Sequence, residues 1–230
     1  MKSKSSKRYR KLLEASKGKK IDLIEEAIKK IKTNCTTKFD ESIDVSFNLN
    51  LKQKKKEEFA LRTTVNLPNG NGKRVKVAVI CDENKIKDAK ESGADIYGSE
   101  KIINDINNGK IDFDKIISTP SMMSKVGKLG KILGPKGVMP NPKLGTVTND
   151  IKQTVKAIKS GQIEIKNDKD GNLAASIGKK SFPDNKIIEN YKSILETILK
   201  EKPSGIKGEF ILSAFLTSTM GISYRIKLGK

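Results

Sequence analysis

The sequence predicts an α+β domain that is interrupted in the chain by an inserted α/β domain. Two observations carry this prediction. The first and last parts contain strands in which apolar and polar residues alternate, whereas the middle contains nearly continuous apolar strands between helices. A Pro-Asn-Gly-Asn-Gly break at 68–72 separates the two styles. We therefore expect a discontinuous α+β domain at 1–67 and 160–230, and a Rossmann-like βαβ domain at 68–159.

The first part predicts one helix and two strands. Its isoleucines recur at spacings of three and four residues, which predicts an amphipathic helix over 22–32. Apolar and polar residues alternate over 42–51 and again over 59–67, which predicts two strands with one face in solvent. We expect these two strands to form an antiparallel pair across the lysine-rich loop at 52–58.

The middle part predicts strands that alternate with helices. The run at 75–80 is nearly continuous and rich in valine, as in a strand that is covered on both faces. Short links join the other elements, which is typical of a small βαβ unit. These elements are strands at 94–97 and 115–118 and helices at 84–92, 100–107 and 149–159.

The alternating style returns from Gly161 onward. Strands at 162–166 and 173–177 flank an Asp-Gly pair at 170–171, which predicts a hairpin. The remaining predicted elements are a helix at 184–200 and strands at 210–219 and 224–228.

The composition restricts the chemistry that this chain can perform. There are 47 Lys+Arg against 27 Asp+Glu, a formal net charge of +20, and the chain contains no histidine. Serine–histidine triads, zinc deaminase sites and His-Glu-x-x-His proteases are therefore excluded. An enzyme that uses lysine or carboxylate groups stays open. We nevertheless expect no catalytic residue, no metal and no cofactor.

The charge points to a polyanionic partner, and nucleic acid is the leading one. A membrane is not expected, because the basic tracts at 2–20 and 52–56 lack an apolar face rich in aromatic residues. No signal peptide and no apolar run of about 18 residues is found, so we expect a cytoplasmic protein. Cys35 and Cys81 are expected to be buried free thiols.

The glycine-rich stretch at 127–145 is the most unusual in the chain. It lacks the Gly-Lys-Ser/Thr ending of a P-loop, and it comes too late for a dinucleotide fingerprint. Two interpretations remain. It is a loop made rigid by its prolines, or its lysines approach a phosphate backbone closely where glycine leaves room. The lysines in question are Lys125, Lys128, Lys131, Lys136 and Lys143.

Two further segments have a structural and a functional interpretation. Phe39, beside Lys38, could stack on an RNA base, but alone it is more often a core residue or a helix-end contact. Ser213, Phe215, Thr217 and Thr219 share one strand face that could bind 2′-hydroxyls or simply face solvent. The opposite face is expected to be the buried one, and it carries Leu212, Ala214 and Leu216.

Several separated motifs in one order resemble the bacterial ribosomal protein L-one family, the stalk protein of the large subunit. The longest is Gly-Lys-Leu-Gly-Lys-Ile-Leu-Gly-Pro-Lys-Gly-Val-Met-Pro-Asn-Pro-Lys at 127–143. Others are Lys-Phe-Asp-Glu at 38–41, Ser-Phe-Pro at 181–183 and Thr-Ser-Thr-Met-Gly at 217–221. The similarity runs from Lys-Arg-Tyr-Arg at 7–10 nearly to the end. The family architecture, a split α+β domain with a Rossmann-like insert, agrees with the domain organisation that the strand patterns predict.

The resemblance implies a specific function. Family members bind large-subunit ribosomal RNA, form a mobile stalk near the tRNA exit site and assist release of deacylated tRNA. Bacterial members also bind their own operon's messenger RNA and repress its translation. The matching RNA-contact positions here are Lys38, Phe39, Glu41, Ser213, Thr217, Thr219, Met220 and Gly221, with Lys166 as a weaker carry-over. We expect a monomer when free, with Lys128, Lys131, Lys136 and Lys143 as possible additional RNA contacts.

The chain departs from the family pattern at three places. Ile222 stands where proline usually follows Met-Gly, Thr63 replaces a common glycine, and lysines fill the loop at 52–56. None of these changes removes an implied contact residue. A nonspecific architectural nucleic-acid binder remains an alternative function, and it predicts equal affinity for RNA and DNA.

Overall fold

The computed structural model describes residues 6–16, 21–50, 61–203, 206 and 208–228. The fold is mixed α/β, with one four-stranded, one two-stranded and one three-stranded sheet over these residues. The chain divides into two compact units. Unit 1 comprises Met1–Gly72 and Ile165–Lys230, and unit 2 comprises Lys73–Glu164.

The helices and strands are numbered along the chain. The helices are α1 (Lys7–Ser16), α2 (Ile24–Asn34), α3 (Ile86–Glu91), α4 (Glu100–Asn107), α5 (Met123–Gly127), α6 (Gly130–Leu133), α7 (Ile151–Lys159) and α8 (Asp184–Lys200). The strands are β1 (Ser42–Leu49), β2 (Arg62–Asn66), β3 (Val77–Ile80), β4 (Ile96–Gly98), β5 (Lys115–Ser118), β6 (Gln162–Lys166), β7 (Asn172–Lys179), β8 (Ile211–Ser218) and β9 (Tyr224–Ile226).

Unit 1 is built on the four-stranded sheet, in which the strands lie in the order β7-β1-β8-β9 and all pairs are antiparallel. The alternation predicted for β1 is confirmed, because every second residue from Ile43 to Leu49 is buried. The buried face packs against α2 and α8. The rings of Phe47 and Tyr191 stack there, with centroids 5.9 Å apart. The opposite face of β1 carries small polar side chains.

The expected pairing of the first two strands is wrong. Both edges of β1 are occupied by β7 and β8, and β2 pairs with β6 in the separate two-stranded sheet. The hairpin expected at 162–177 is correct only at its turn. Asn167 and Leu173 form one antiparallel bridge around Gly171, whose φ is 82°, but β6 and β7 join different sheets. Local alternation predicts a strand and does not specify its neighbour.

The position of Leu212 and the presence of α1 also differ from what the sequence predicts. Leu212 is 46% exposed rather than in the core, because the β1–β8 register shifts between Asn48 and Leu49. This bulge turns Leu212 and Ser213 toward the same side. Helix α1 lies within the tract treated as merely basic, and among its described side chains Leu12 is the one that is buried.

Unit 2 contains the parallel sheet, in the order β4-β3-β5. All four residues of β3 are buried, so the prediction of a strand covered on both faces is confirmed. One apolar cluster joins Ala78 and Ile80 to residues of α4, α5 and α6. A second cluster on the other face joins Val77 and Val79 to α3 and α7.

The glycine-rich stretch is more regular than the expected loop. It forms α5, α6 and a 3₁₀ turn at Pro142–Leu144. Leu129 and Leu133 bury their side chains in the first apolar cluster. A left-handed backbone that favours glycine occurs here at Gly137 and Gly145, with φ values of 68° and 69°.

Three remaining observations concern the described part of the chain. Cys35 and Cys81 are free and buried, as predicted. No group of three or more acidic or cysteine side chains is placed to hold a metal ion. None of the described helices has the length and hydropathy to cross a bilayer.

Candidate nucleic-acid interface

Two segments that are far apart in sequence meet where β1 begins and β8 ends. The strands are antiparallel neighbours, and Ile43 lies opposite Ser218. The loop at 37–42 therefore lies beside the turn at 218–221. We call these ten residues the β1–β8 junction. It brings together six of the residues carried over from the family: Lys38, Phe39, Glu41, Thr219, Met220 and Gly221.

Glu41 is the buried centre of the junction. Its side chain is inaccessible to solvent, and its carboxylate accepts hydrogen bonds from Met220 N–H at 3.0 Å and Thr37 Oγ1 at 2.8 Å. Burial alone would raise the pKa of Glu41. The bonds from Met220, Thr37 and the Ser218 hydroxyl outweigh burial and lower the pKa below its ordinary value. The ionised carboxylate thus ties the loop to the turn.

Thr219 reinforces the same connection through the backbone of Ser42. The Thr219 hydroxyl accepts a hydrogen bond from Ser42 N–H at 3.1 Å, and Thr219 N–H donates to the Ser42 carbonyl at 3.1 Å. The hydroxyl is therefore already engaged within the protein. One lone pair remains for an external donor, since a hydroxyl has two. Any RNA contact by Thr219 adds to this structural role.

Position 221 favours glycine because the Ser218 side chain lies too close for a Cβ atom. A Cβ at position 221 would lie 2.4 Å from the Ser218 hydroxyl oxygen, far inside van der Waals contact. Ser218 is 4% exposed, and its hydroxyl contributes to lowering the pKa of Glu41. An alanine at 221 would thus displace the Ser218 hydroxyl and disturb its interaction with Glu41. The side chain of Ile222, at the position of the family proline, is buried beside this turn.

The outer surface of the junction is cationic and apolar. Phe39 is 52% exposed and Met220 is 48% exposed, so the structure excludes a core role for Phe39. Lys38 is also exposed. Large apolar side chains at this exposure, next to a cation, can stack on bases or riboses while the ammonium meets a phosphate.

A third segment, which sequence reasoning did not select as part of the site, supports the loop from the side of β7. Lys180 N–H donates to the Glu41 carbonyl at 2.8 Å, and its ammonium donates to the Cys35 carbonyl at 2.7 Å. The Ser181 hydroxyl donates to the Asp40 carboxylate at 2.7 Å. These contacts join residues about 140 positions apart, and the Ser-Phe-Pro motif at 181–183 was the one signal near them.

Two hydroxyl residues of β8 lie along the outward sheet face. Thr217 faces Asp44 near the junction, and its hydroxyl donates to the Ser218 carbonyl at 3.2 Å. Ser213 faces Asn48, four residues farther along, which is about 13 Å at the rise of a strand. The structure therefore brings Thr217 to the junction and leaves Ser213 at the far end of the sheet.

Lys166 is also apart from the junction. It is exposed at the end of β6, and the chain then turns into β7 at Asn172, which pairs with Asn48. The junction lies at the opposite end of β7, where Lys179 pairs with Ser42. A ligand that contacts both places must extend along the sheet.

The four possible additional lysines belong to unit 2. Lys128, Lys131, Lys136 and Lys143 are all exposed, and among the described residues no carboxylate pairs with them. Lys125 differs, because its ammonium lies 2.7 Å from a Glu100 carboxylate oxygen, which raises its pKa. The lysine loop at 52–56 lies outside the described residues.

Comparison with known proteins identifies the same family along nearly the whole chain. The model of the family described as "Ribosomal protein L1p/L10e family" matches residues 29–222. A protein of Pelagibacter ubique is 57% identical over 226 residues, 98% of each chain. One of Kosmotoga olearia is 48% identical over 221 residues, covering 95% of this chain and 94% of its own. A Rickettsia bellii protein is 46% identical over 202 residues, 88% and 84% respectively. All three carry the name large ribosomal subunit protein uL1.

Proposed function

The chain belongs to the ribosomal protein L1p/L10e family, a family of structural proteins of the large ribosomal subunit, and we propose that it binds large-subunit ribosomal RNA through the β1–β8 junction. As a member, it is a non-enzymatic component of translation and acts in the cytoplasm, on the ribosome. The observation that carries the RNA proposal is the exposure of Lys38, Phe39 and Met220 around the buried, hydrogen-bonded Glu41.

The junction suits RNA because its exposed groups are held before the ligand arrives. Met220 N–H is fixed by Glu41, and the start of β1 is fixed by Thr219. Little conformational freedom is then lost on binding, which favours affinity. Phe39 and Met220 supply apolar surface for unstacked bases, and Lys38 supplies charge for a phosphate. Specificity comes from this shape, with a contribution from Thr217.

The wider positive charge has a different role. With a net charge of +20, the protein attracts RNA over a distance that depends on ionic strength. The exposed lysines 128, 131, 136 and 143 extend this attraction to unit 2. We expect them to contribute salt-sensitive affinity and little selectivity, because phosphate contacts carry no sequence information.

We further propose that the discontinuous α+β domain, 1–67 with 160–230, is the RNA-binding domain and that the Rossmann-like domain at 68–159 is its insert. The two compact units support this division, with transitions at 72/73 and 164/165.

The family resemblance supports the wider roles: a mobile stalk near the tRNA exit site, contact with exit-site tRNA that assists its release, and repression of the protein's own operon messenger RNA. The free protein is proposed to be a monomer.

A titration with two RNAs tests the RNA proposal. The purified protein is titrated with an RNA fragment of the large-subunit ribosomal RNA stalk and with a scrambled RNA of equal length, at two salt concentrations. We expect tight binding to the stalk fragment that persists at higher salt, and weak binding to the scrambled RNA. Equal affinity for both, lost together as salt rises, would contradict specific recognition.

The charge itself favours a second candidate, a nonspecific architectural nucleic-acid binder. A duplex DNA of equal length, added to the same titration, separates the two. The architectural function predicts equal affinity for RNA and DNA, whereas the RNA proposal predicts a clear preference for the stalk fragment.

A further inference from the structure

We propose that Arg8 of helix α1 is a positioning residue for RNA recognition, which holds the outer side of the Met220 turn while Glu41 holds its inner side. The proposal rests on the proposed function, because it assigns Arg8 a role at the same RNA-binding junction. It goes beyond that function by including α1 in the site.

The contacts of Arg8 join three parts of the chain. One guanidinium nitrogen, Nη2, donates to the Met220 carbonyl at 2.5 Å, and the other, Nη1, lies 3.5 Å from the Thr36 hydroxyl. Arg8 is therefore anchored on the turn after β8 and on the segment that leads into the loop. These partners are 212 and 28 residues away in sequence.

The Met220 peptide groups are consequently held on both sides. Met220 N–H donates to the buried carboxylate of Glu41, and the Met220 carbonyl accepts from Arg8. The next N–H, that of Gly221, donates to the Ser218 carbonyl at 3.1 Å. With these groups satisfied internally, the turn presents its side chain to a ligand. The 48% exposure of Met220 agrees with this arrangement.

Arginine is suited to this position by its geometry. Its planar guanidinium can donate to two acceptors in fixed directions, whereas the lysine ammonium is a point donor on a flexible stem. Within the described residues no carboxylate pairs with Arg8. Its bonds go to neutral oxygens, so the charge is not neutralised locally. The competing role is a direct phosphate contact, for which lysine would be an adequate substitute.

Three variants distinguish the two roles. Arg8→Lys keeps the charge and loses the two-acceptor geometry, and Arg8→Gln loses both. Lys11→Gln is the matched control, because it removes one exposed positive charge from the same helix. Each is compared with the wild-type protein for stalk and scrambled RNA, in association rate, dissociation rate and salt dependence. Circular dichroism and the urea unfolding midpoint verify that each variant folds.

A positioning role predicts that Arg8→Lys and Arg8→Gln both accelerate dissociation from the stalk fragment by about tenfold. The Arg8→Lys variant keeps the wild-type association rate and salt slope, and Lys11→Gln leaves the dissociation rate near that of wild type. Wild-type behaviour of Arg8→Lys, with Arg8→Gln losing affinity for both RNAs, would assign a phosphate contact and overturn the proposal. Wild-type dissociation for both Arg8 variants would overturn it as well.

Hydrogen exchange of the Met220 amide, in the protein without RNA, separates this inference from the proposed function. Faster exchange in Arg8→Lys than in Lys11→Gln supports a positioning role, and equal exchange contradicts it. If the wild-type protein fails to discriminate the two RNAs, the proposed function is wrong. The exchange comparison then still decides whether Arg8 orders the turn.

Discussion

At the scale of single residues, the most informative side chain is a buried acid in a strongly basic protein. Glu41 was selected from the sequence only because the family resemblance implies that this position contacts RNA. The structure places it in the interior instead, with its carboxylate bonded to Met220 and Thr37. Its effect on RNA is therefore expected to be indirect, through the shape of the turn.

Replacing Glu41 by Gln tests this role. The amide has one acceptor oxygen, and it sets an NH₂ group against donors that the carboxylate now satisfies. We expect a loss of about 1–3 kcal/mol in the free energy of unfolding and weaker binding to the stalk fragment. Urea unfolding and RNA titration measure the two effects. Unchanged stability together with unchanged affinity would contradict the assignment.

The same variant gives a pH dependence with a definite sign. Because hydrogen bonds lower the pKa of Glu41 in the folded protein, the unfolded chain binds more protons as the pH falls below the ordinary value of about 4.5. The stability that ionised Glu41 provides is thus fully present above that pH and is lost as the pH falls through the folded pKa. We expect the stability difference between wild type and Glu41→Gln to shrink over this range. A difference that is constant from pH 7 to pH 3 would argue against a buried carboxylate.

Gly221→Ala tests the close approach of Ser218. The added methyl group would displace the Ser218 hydroxyl, which lies 2.4 Å from the Cβ position, and would weaken its interaction with Glu41. We expect about a tenfold or greater loss in affinity for the stalk fragment. The effect is not confined to RNA contacts, so the unfolding midpoint should fall as well.

Two variants serve as controls for Gly221→Ala. Adding Ser218→Ala removes the oxygen that clashes, so the double variant should bind better than the sum of the two single losses predicts. Gly98→Ala is a control substitution at a glycine outside the proposed RNA contacts, where the added Cβ would meet its nearest neighbour at an ordinary 3.6 Å, and it should leave binding unchanged. Strict additivity in the double variant would mean that the clash is not the cause.

At the scale of elements, the pairing of β1 with β8 creates the β1–β8 junction. Residues 42 and 219 become neighbours because the antiparallel register sets Ile43 opposite Ser218. The two strands were predicted with ends within two residues of those observed, but their pairing was not. Alternation reports which face of a strand is buried, and the sequence carries no comparable local signal for the partner.

The lysines on the helical turns around α5 and α6 are expected to contribute separately to RNA affinity, and a variant that removes their charge can isolate that contribution. Replacing Lys128, Lys131, Lys136 and Lys143 by Gln should weaken binding to stalk and scrambled RNA alike. If all four contact phosphates, the slope of log affinity against log salt should fall by roughly three units. The matched control replaces four other exposed lysines of unit 2, which are Lys87, Lys90, Lys101 and Lys110. Equal effects of the two sets would show that only net charge matters.

At the scale of the whole molecule, the two units have separate apolar cores. Ile194 is buried in unit 1, and Ile117 is buried in unit 2 within the cluster that joins β3 to α3 and α7. We therefore expect urea unfolding to show two transitions rather than one. Ile194→Ala and Ile117→Ala should each lower a different transition, by about 2–5 kcal/mol. A single transition that both variants lower equally would contradict independent cores.

The sequence by itself determined the chemistry class and most of the local structure. The charge pointed to a nucleic-acid partner and the absence of histidine excluded several enzyme classes, because both are properties of the composition. Periodicity located most helices and strands, because it depends on residues close together in the chain. Only the tertiary structure decided which strands pair, that Leu212 faces outward, that Ser213 and Lys166 lie apart from the junction, and that α1 reaches the Met220 turn. These features depend on register and on contacts between residues more than 100 positions apart in sequence. Such contacts form only when packing, hydrogen bonding and burial are satisfied together over the whole fold.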